Sequence, residues 1–352
     1  MRSSVRDIDE AVETESSVGV ARARVVAFLS SPPIVDTSGN VYSWINPAHP
    51  GYVYPEGMGL YLTLLSRLAA DRADLALVEV THRVAARLQA IVHPSGGIGL
   101  RGLLYPFDTC MAVTGLLTYQ TCLNGPVNPG ILAGMAHFIV DMAERRLTVV
   151  DEDGGVPDVP PHWSTVFGAS MLKEVIALDN LAQETGEERY RVLAREISDE
   201  VVAGCYDDGA FRAFPGSGET YTHPHCYALE GLLHLRARGY RDTTSLLRAG
   251  ADRLRAWQDE DGGLYNWYDA PGRARSKVGD ATSQAVRVWL AVDSDAYAEQ
   301  IARGLSFLAG LVSPRGGLYY AAGSADVNAI TSIFAAQAME WYMYGVRADA
   351  IA

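Results

Sequence analysis

Two hydrophobic patterns alternate along this chain. In the first, apolar residues recur every three or four positions with charges between them: Val80, Val84, Leu88 and Ile91 around Arg83 and Arg87, or Ala251, Leu254 and Trp257 around Asp252, Arg253 and Arg255. That period predicts an amphipathic helix with one wet face. In the second, charge nearly disappears and small residues replace it, as over 57–65, 110–118, 166–172 and 329–339. A helix that is apolar almost all round must be covered on every side.

Glycines punctuate this alternation. Gly39, Gly97, Gly155, Gly209, Gly263 and Gly317 lie 58, 58, 54, 54 and 54 residues apart, each followed by a few aromatic or β-prone residues that read as a short extended turn. A period of that length holds two helices and their turns, so six helical pairs fill the chain. Six wet helices alternating with six apolar ones have a closed solution, in which the apolar set forms an inner ring and the amphipathic set surrounds it. The expected fold is all-α, an (α/α)6 toroid of six helical hairpins. An open solenoid would leave each inner helix one solvent face and demand more charge there. The expected organisation is a flexible segment over 1–16 followed by one barrel domain over 17–352.

With 48% hydrophobic and 20% charged residues, the chain is globular rather than disordered. Its formal charge of -13 repels a phosphate backbone, so no nucleic acid partner is expected. No uncharged apolar stretch reaches the roughly 20 residues that span a bilayer, and residues 1–17 lack the apolar stretch of a signal peptide. The expectation is a soluble cytoplasmic protein with no membrane partner; no feature specifies an oligomeric state. Cys110, Cys122, Cys205 and Cys226 form no Cys-x-x-Cys pair and fit reduced thiols.

Polar residues gather at the starts of the apolar helices: Tyr54-Pro55-Glu56, Phe107-Asp108-Thr109, His162-Trp163-Ser164, Thr222-His223-Pro224-His225, Gly279-Asp280-Ala281-Thr282 and Asp326-Val327-Asn328. Inner helices that alternate with outer ones run parallel, so the six clusters meet at one mouth, walled by aromatics from the preceding turns. Helix capping explains the residue types at Asp108, Asp280 and Thr222, and Pro55 and Pro224 suit a first helical turn. Capping does not explain three histidines, whose imidazoles titrate where a general acid or base works best. The candidate catalytic groups are His223, His225, His162, Glu56, Asp108 and Asp280. Candidate substrate contacts are Trp44, Tyr54, Trp163, Tyr221, Tyr265, Trp267, Gln284, Arg287, Tyr319 and Asn328, with Tyr320 beside them. Glu230, seven residues after His223, lies two turns deeper on the same face and either orients a histidine or pairs within the core. Arg287 is equally suited to an anion contact or a salt bridge.

Cys205, His223, His225 and Cys226 carry zinc-type donors, but their spacing is irregular and a His-x-His at a helix start points its side chains apart, so no metal is expected. The chain has no phosphate-cradling Gly-x-x-x-x-Gly-Lys loop, no Gly-x-Gly-x-x-Gly after a strand and no Gly-x-Ser-x-Gly elbow, so neither a cofactor nor serine-hydrolase chemistry is expected.

The turn Gln258-Asp-Glu-Asp-Gly-Gly-Leu-Tyr-Asn-Trp267 resembles the glycine-rich turns of terpenoid cyclases and protein prenyltransferase β subunits, which are α/α toroids. Triterpene-type cyclases protonate with Asp-x-Asp-Asp; Asp151-Glu-Asp-Gly154 and Asp259-Glu-Asp-Gly262 lack its final aspartate. The segment Thr222-His-Pro-His-Cys-Tyr-Ala-Leu-Glu-Gly-Leu-Leu-His234 resembles the His-Pro-x-x-x-x-Leu-Glu stretch of N-acylglucosamine 2-epimerase-like sugar isomerases, also (α/α)6 barrels. That resemblance implies His223 or His225 as general acid or base on an open-chain sugar. Six-hairpin glycosidases and unsaturated-uronyl hydrolases share the barrel, and similarity to them implies Asp108 and Asp280 as counterparts by position. The expected function is that of an enzyme acting on a small polyhydroxylated substrate, a sugar, uronate or cyclitol, by His/carboxylate proton transfer as an epimerase, isomerase or lyase. The alternatives are a glycoside hydrolase that pairs Glu56 with Asp108 or Asp280, a terpenoid or polyene cyclase, and a binding scaffold without turnover.

Overall fold

The computed structural model describes residues 3–348 and 350–352, with side chains from Glu15 onward. The N-terminal segment expected over 1–16 lies almost wholly outside the described side chains. Outer helices α1 (Ser3–Leu29), α3 (Leu75–Ala90), α5 (Pro129–Glu144), α7 (Glu188–Cys205), α9 (Thr244–Trp257) and α11 (Ala298–Gly310) alternate with inner helices. The inner set is α2 (Pro55–Arg72), α4 (Pro106–Leu123), α6 (Met171–Thr185), α8 (Thr222–Ala237), α10 (Gly279–Asp293) and α12 (Ala329–Tyr344). Charge decides the layer: α9 buries only Leu247, Gly250, Ala251 and Leu254, whereas every residue of α8 from Thr222 to Leu235 is buried.

The inner helices touch in sequence, α2 with α4, α4 with α6, α6 with α8, α8 with α10 and α10 with α12, and α12 returns to α2. That last contact distinguishes a ring from a solenoid. The fold is an (α/α)6 toroid.

Short antiparallel pairings hold the starts of the inner helices at one end. Trp44–Ile45 pairs with Val327–Asn328 and joins the first unit to the last. Thr220–Tyr221 pairs with Trp267–Tyr268, and the Gly279 N–H donates to Tyr320 O at 2.8 Å. The seam is strengthened on its outer side by Glu340 of α12, which takes Arg22 of α1 at 2.8 Å and Arg72 of α2 at 2.6 Å.

The glycine period has a steric cause. Gly96 and Gly262 adopt left-handed φ of +92° and +88°, and a Cβ there would lie 2.1 Å from Gly134 O of α5 and 2.2 Å from Arg303 O of α11. Gly39, Gly209 and Gly316 face outer-helix carbonyls in the same way, so five of the six turns rest their backbone on an outer helix, which only glycine permits. The third unit departs from this pattern, since nothing lies within 4 Å of a Cβ at Gly154.

That unit also corrects the expected helix start. The apolar stretch at 166–172 reads as an inner helix beginning near His162, but α6 starts at Met171 and residues 152–170 are irregular. The cause is a sideways attachment to the next unit: the Ala169 N–H donates to Ala213 O at 3.2 Å, and a Cβ on Gly168 would meet that same oxygen at 2.3 Å.

Capping is corrected as well. The cap positions of α4, α8 and α10 are Tyr105, Tyr221 and Val278, none with a side-chain cap, so Asp108, Thr222 and Asp280 lie inside their helices. Asn328 does cap α12, accepting from the Thr331 N–H at 2.9 Å. Among the described residues, no helix is long and apolar enough to cross a membrane.

Candidate active site

Freed from capping, the side chains at the inner-helix starts form two poles. On the α2/α4 side, Glu56 is buried and its carboxyl accepts from the Tyr54 hydroxyl at 2.5 Å and the Tyr227 hydroxyl at 3.4 Å. Burial pushes its pKa up, a shift that Tyr54, Lys173 and Tyr227 partly offset. Asp108 stands close enough to feel Glu56 and Glu174, and burial plus these two like charges raise its pKa well above the carboxylate range. Glu174, 3% exposed, is pushed up to about 8 by burial, and its Oε1 has no hydrogen-bond partner. Burial disfavours the charged form of all three carboxyls, and at Asp108 the charges of Glu56 and Glu174 add to it.

On the α8/α10 side, His223 Nδ1 lies 2.6 Å from Gln284 Oε1 and 3.8 Å from Asp280 Oδ2. Burial drives the His223 pKa down to about 3; the Gln284 bond opposes that shift, while the Lys173 and Arg287 charges reinforce it. The ring is therefore a neutral imidazole. Asp280 is raised to about 6 by burial, against the pull of its backbone hydrogen bonds. Its charge is the main cause of the raised Tyr320 pKa, and Tyr320 in turn interacts with the Tyr221 hydroxyl. Tyr227 joins the poles, its ring 4.2 Å from that of His223 and its hydroxyl directed at Glu56.

Aromatic rings line the approach. Trp163 lies 5.7 Å from His223 and 5.8 Å from Tyr221, and Tyr221 stacks on Trp267 at 4.4 Å. Trp44 belongs to a second chain of rings that reaches Tyr54 through Tyr52, with centroid steps of 5.3 and 5.4 Å.

Below the mouth lies a buried ionic cluster. Glu230 accepts from Lys173 at 2.7 Å, from Gln284 at 3.3 Å and from Arg287. Arg287 thus serves as a salt-bridge partner deep in the ring, with its guanidinium 4.3 Å from the centre of the Phe334 ring.

Several predicted site residues lie elsewhere. His225 faces the outer layer: its Nδ1 accepts from the Phe211 N–H at 3.0 Å and its ring packs edge-on against Trp257 at 5.3 Å. His162 is exposed on the irregular loop, bonded to Ser164 Oγ at 3.1 Å. Tyr265 is covered by Arg275 at 4.1 Å, and its carbonyl takes the Thr222 hydroxyl at 2.6 Å. Tyr320, not Tyr319, is the residue that meets Asp280, while Asn328 is occupied as a cap.

Cys205, His223, His225 and Cys226 do not converge; among the described residues no three His, Cys, Asp or Glu side chains come together as metal ligands. Sequence reasoning missed Glu174, Lys173 and Tyr227. Adjacent charges at 173 and 174 within the otherwise apolar run 171–178 of α6 were the available signal. A cavity of about 220 Å³ opens between α2, α4 and α6, lined by Arg67, Thr118, Cys122, Asn180 and Gln183, and it holds none of the predicted site residues.

No protein-family model and no curated protein matches the sequence. Solved structures do match in shape. A sugar epimerase from a ruminal bacterium superposes with a TM-score of 0.73 at 12% identity, covering 94% of this chain and 99% of its own. Cellobiose 2-epimerase from Spirochaeta thermophila gives 0.69 at 16% identity, covering 93% and 98%. Unsaturated glucuronyl hydrolase from Streptococcus agalactiae gives 0.66 at 15% identity, covering 95% and 93%. These neighbours belong to the (α/α)6 toroid superfamily.

Proposed function

We propose that this protein is a carbohydrate-active enzyme that moves a proton on a sugar, uronate or cyclitol-type substrate, as an epimerase, isomerase or lyase. The observation that carries this reading is the opposition of a neutral imidazole, His223, to a carboxyl cluster, Glu56 with Asp108, across Tyr227. A neutral imidazole accepts a proton from the carbon next to a carbonyl and a protonated carboxyl on the facing pole delivers one; the proton held by the imidazole then returns to the carboxylate through solvent, which restores both groups for the next turnover. Trp163, Tyr221 and Trp267 offer ring faces to the C–H surface of a sugar. The epimerase and uronyl-hydrolase neighbours support a carbohydrate substrate.

The test is a panel of aldoses, disaccharides and uronates in deuterium oxide, read by NMR. Deuterium is expected at the carbon beside the carbonyl, and His223→Phe is expected to lower that exchange by roughly 10²- to 10⁴-fold. A second reading, glycoside hydrolysis, is favoured by the burial and the neighbouring carboxyl charges that raise the pKa of Asp108. It predicts release of reducing ends without deuterium uptake, with Glu56→Gln and Asp108→Asn costing far more rate than His223→Phe. A cyclase calls for a pocket with far more apolar than polar lining, whereas this mouth sets Glu56, Asp108, Asp280 and His223 among its aromatic rings.

A further inference from the structure

The ionic cluster beneath His223 has an unusual anchor. After α12 the chain turns at Gly345 and enters the ring, where Ala350, Ile351 and Ala352 are 5%, 2% and 0% exposed. Gln337 clamps this segment: its Nε2 donates to Ala350 O at 2.8 Å and its Oε1 accepts from the Ala352 N–H at 3.0 Å. The main-chain oxygen of Ala352 then receives Lys173 Nζ at 2.6 Å and Arg287 at 2.8 Å, the same two cations that hold Glu230.

Polarity runs upward from that anchor without a choice at any step. Lys173 and Arg287 can only donate, so Glu230 acts as an acceptor. Glu230 in turn takes Gln284 Nε2, which leaves Gln284 Oε1 facing His223 Nδ1. An amide oxygen only accepts, so Nδ1 must carry the proton; Asp280 Oδ2, 3.8 Å away on the same side, selects the same state. His223 Nε2 has no hydrogen bond among the described residues and is left as the ring's lone-pair nitrogen.

We infer that Lys173, Arg287, Glu230 and Gln284, anchored on residues 350–352, are positioning residues that lock His223 in the Nδ1–H form, with Nε2 bare. The inference deepens the reading of His223 as a base, but the locked tautomer is a property of the unliganded protein. It is read without substrate, so an error in the assigned reaction would leave it standing.

The experiment is ¹⁵N NMR of the full chain labelled at histidine, with His223 assigned by the signals lost in His223→Phe. At neutral pH the expected result is a pyrrole-type Nδ1 and a pyridine-type Nε2. An Nε2–H form, or averaged shifts, in the unaltered protein overturns the lock. Ile351→Asp, which places a charge in the core, is expected to expel the segment and bring the two His223 shifts toward their average. Gln337→Leu removes the clamp together with the Arg287 bond to Gln337 Oε1 at 2.5 Å, but leaves both cations bonded to Glu230, so it serves as the second variant if the first does not fold, with the same averaging expected. If either variant folds with both His223 shifts unchanged and loses only thermal stability, the segment is packing alone and its role as anchor fails.

Discussion

At the scale of single residues, the site is a set of groups held away from their ordinary ionisation. Glu174 is the clearest: its carboxyl is raised from 4.5 to about 8, so the fold prefers it protonated. A group of that sign contributes stability that is complete below pH 4.5 and is lost as pH rises through 8. Glu174→Gln, which keeps the shape and removes the charge, should therefore match the unaltered protein near pH 4.5 and melt at a higher temperature at pH 8. The gap is on the order of a few kcal/mol, and thermal melts at both pH values would measure it. Equal melting at both would show that Glu174 is not the neutral acid described here. His223 and His225, lowered to about 3, act in the opposite sense: their contribution is present above pH 6.5 and lost as pH falls through 3.

At the scale of elements, the turns explain why the repeat is readable. The glycine of a regular turn must have no Cβ because an outer-helix carbonyl occupies that space, so its position is preserved from unit to unit. Gly262→Ala should cost about 3 kcal/mol, combining backbone strain with a displaced helix, whereas Gly154→Ala should cost only about 1 kcal/mol of left-handed strain. Urea titration of the two variants makes the comparison, and equal losses would refute the turn-on-helix account. The same contrast shows where the sequence ceased to be a guide. Apolar periodicity at 166–172 suggests a helix, but a backbone bond from Ala169 to a neighbouring unit overrides local preference, and that partner is 44 residues away. His223 and His225 looked equivalent for a related reason. Two residues apart on a helix they face different layers, and only the inner one reaches Asp280 and Gln284.

For the molecule as a whole, closure is the governing property. In an open array, end units have one neighbour and fray; here α12 packs on both α1 and α2. Hydrogen exchange should show α2 and α12 protected to the same degree as α6 and α8, and a gradient of protection falling toward the first and last units would contradict a closed ring. The ring was legible because charge and apolarity alternate with so long and regular a period. The ionic cluster at its centre was not, because its members come from α6, α8 and α10 and from residues after α12, and no spacing in the chain joins them. One further effect comes from the shared direction of the inner set. Each inner helix is equivalent to roughly half a positive charge at its start, and the outer helices, running the other way, finish at the same end with the opposite sign. The positive ends therefore surround the axis and the negative ends the rim, so a negative group on a solute is guided toward the centre of the mouth that carries His223 over about one helical turn of approach. Added salt weakens that guidance.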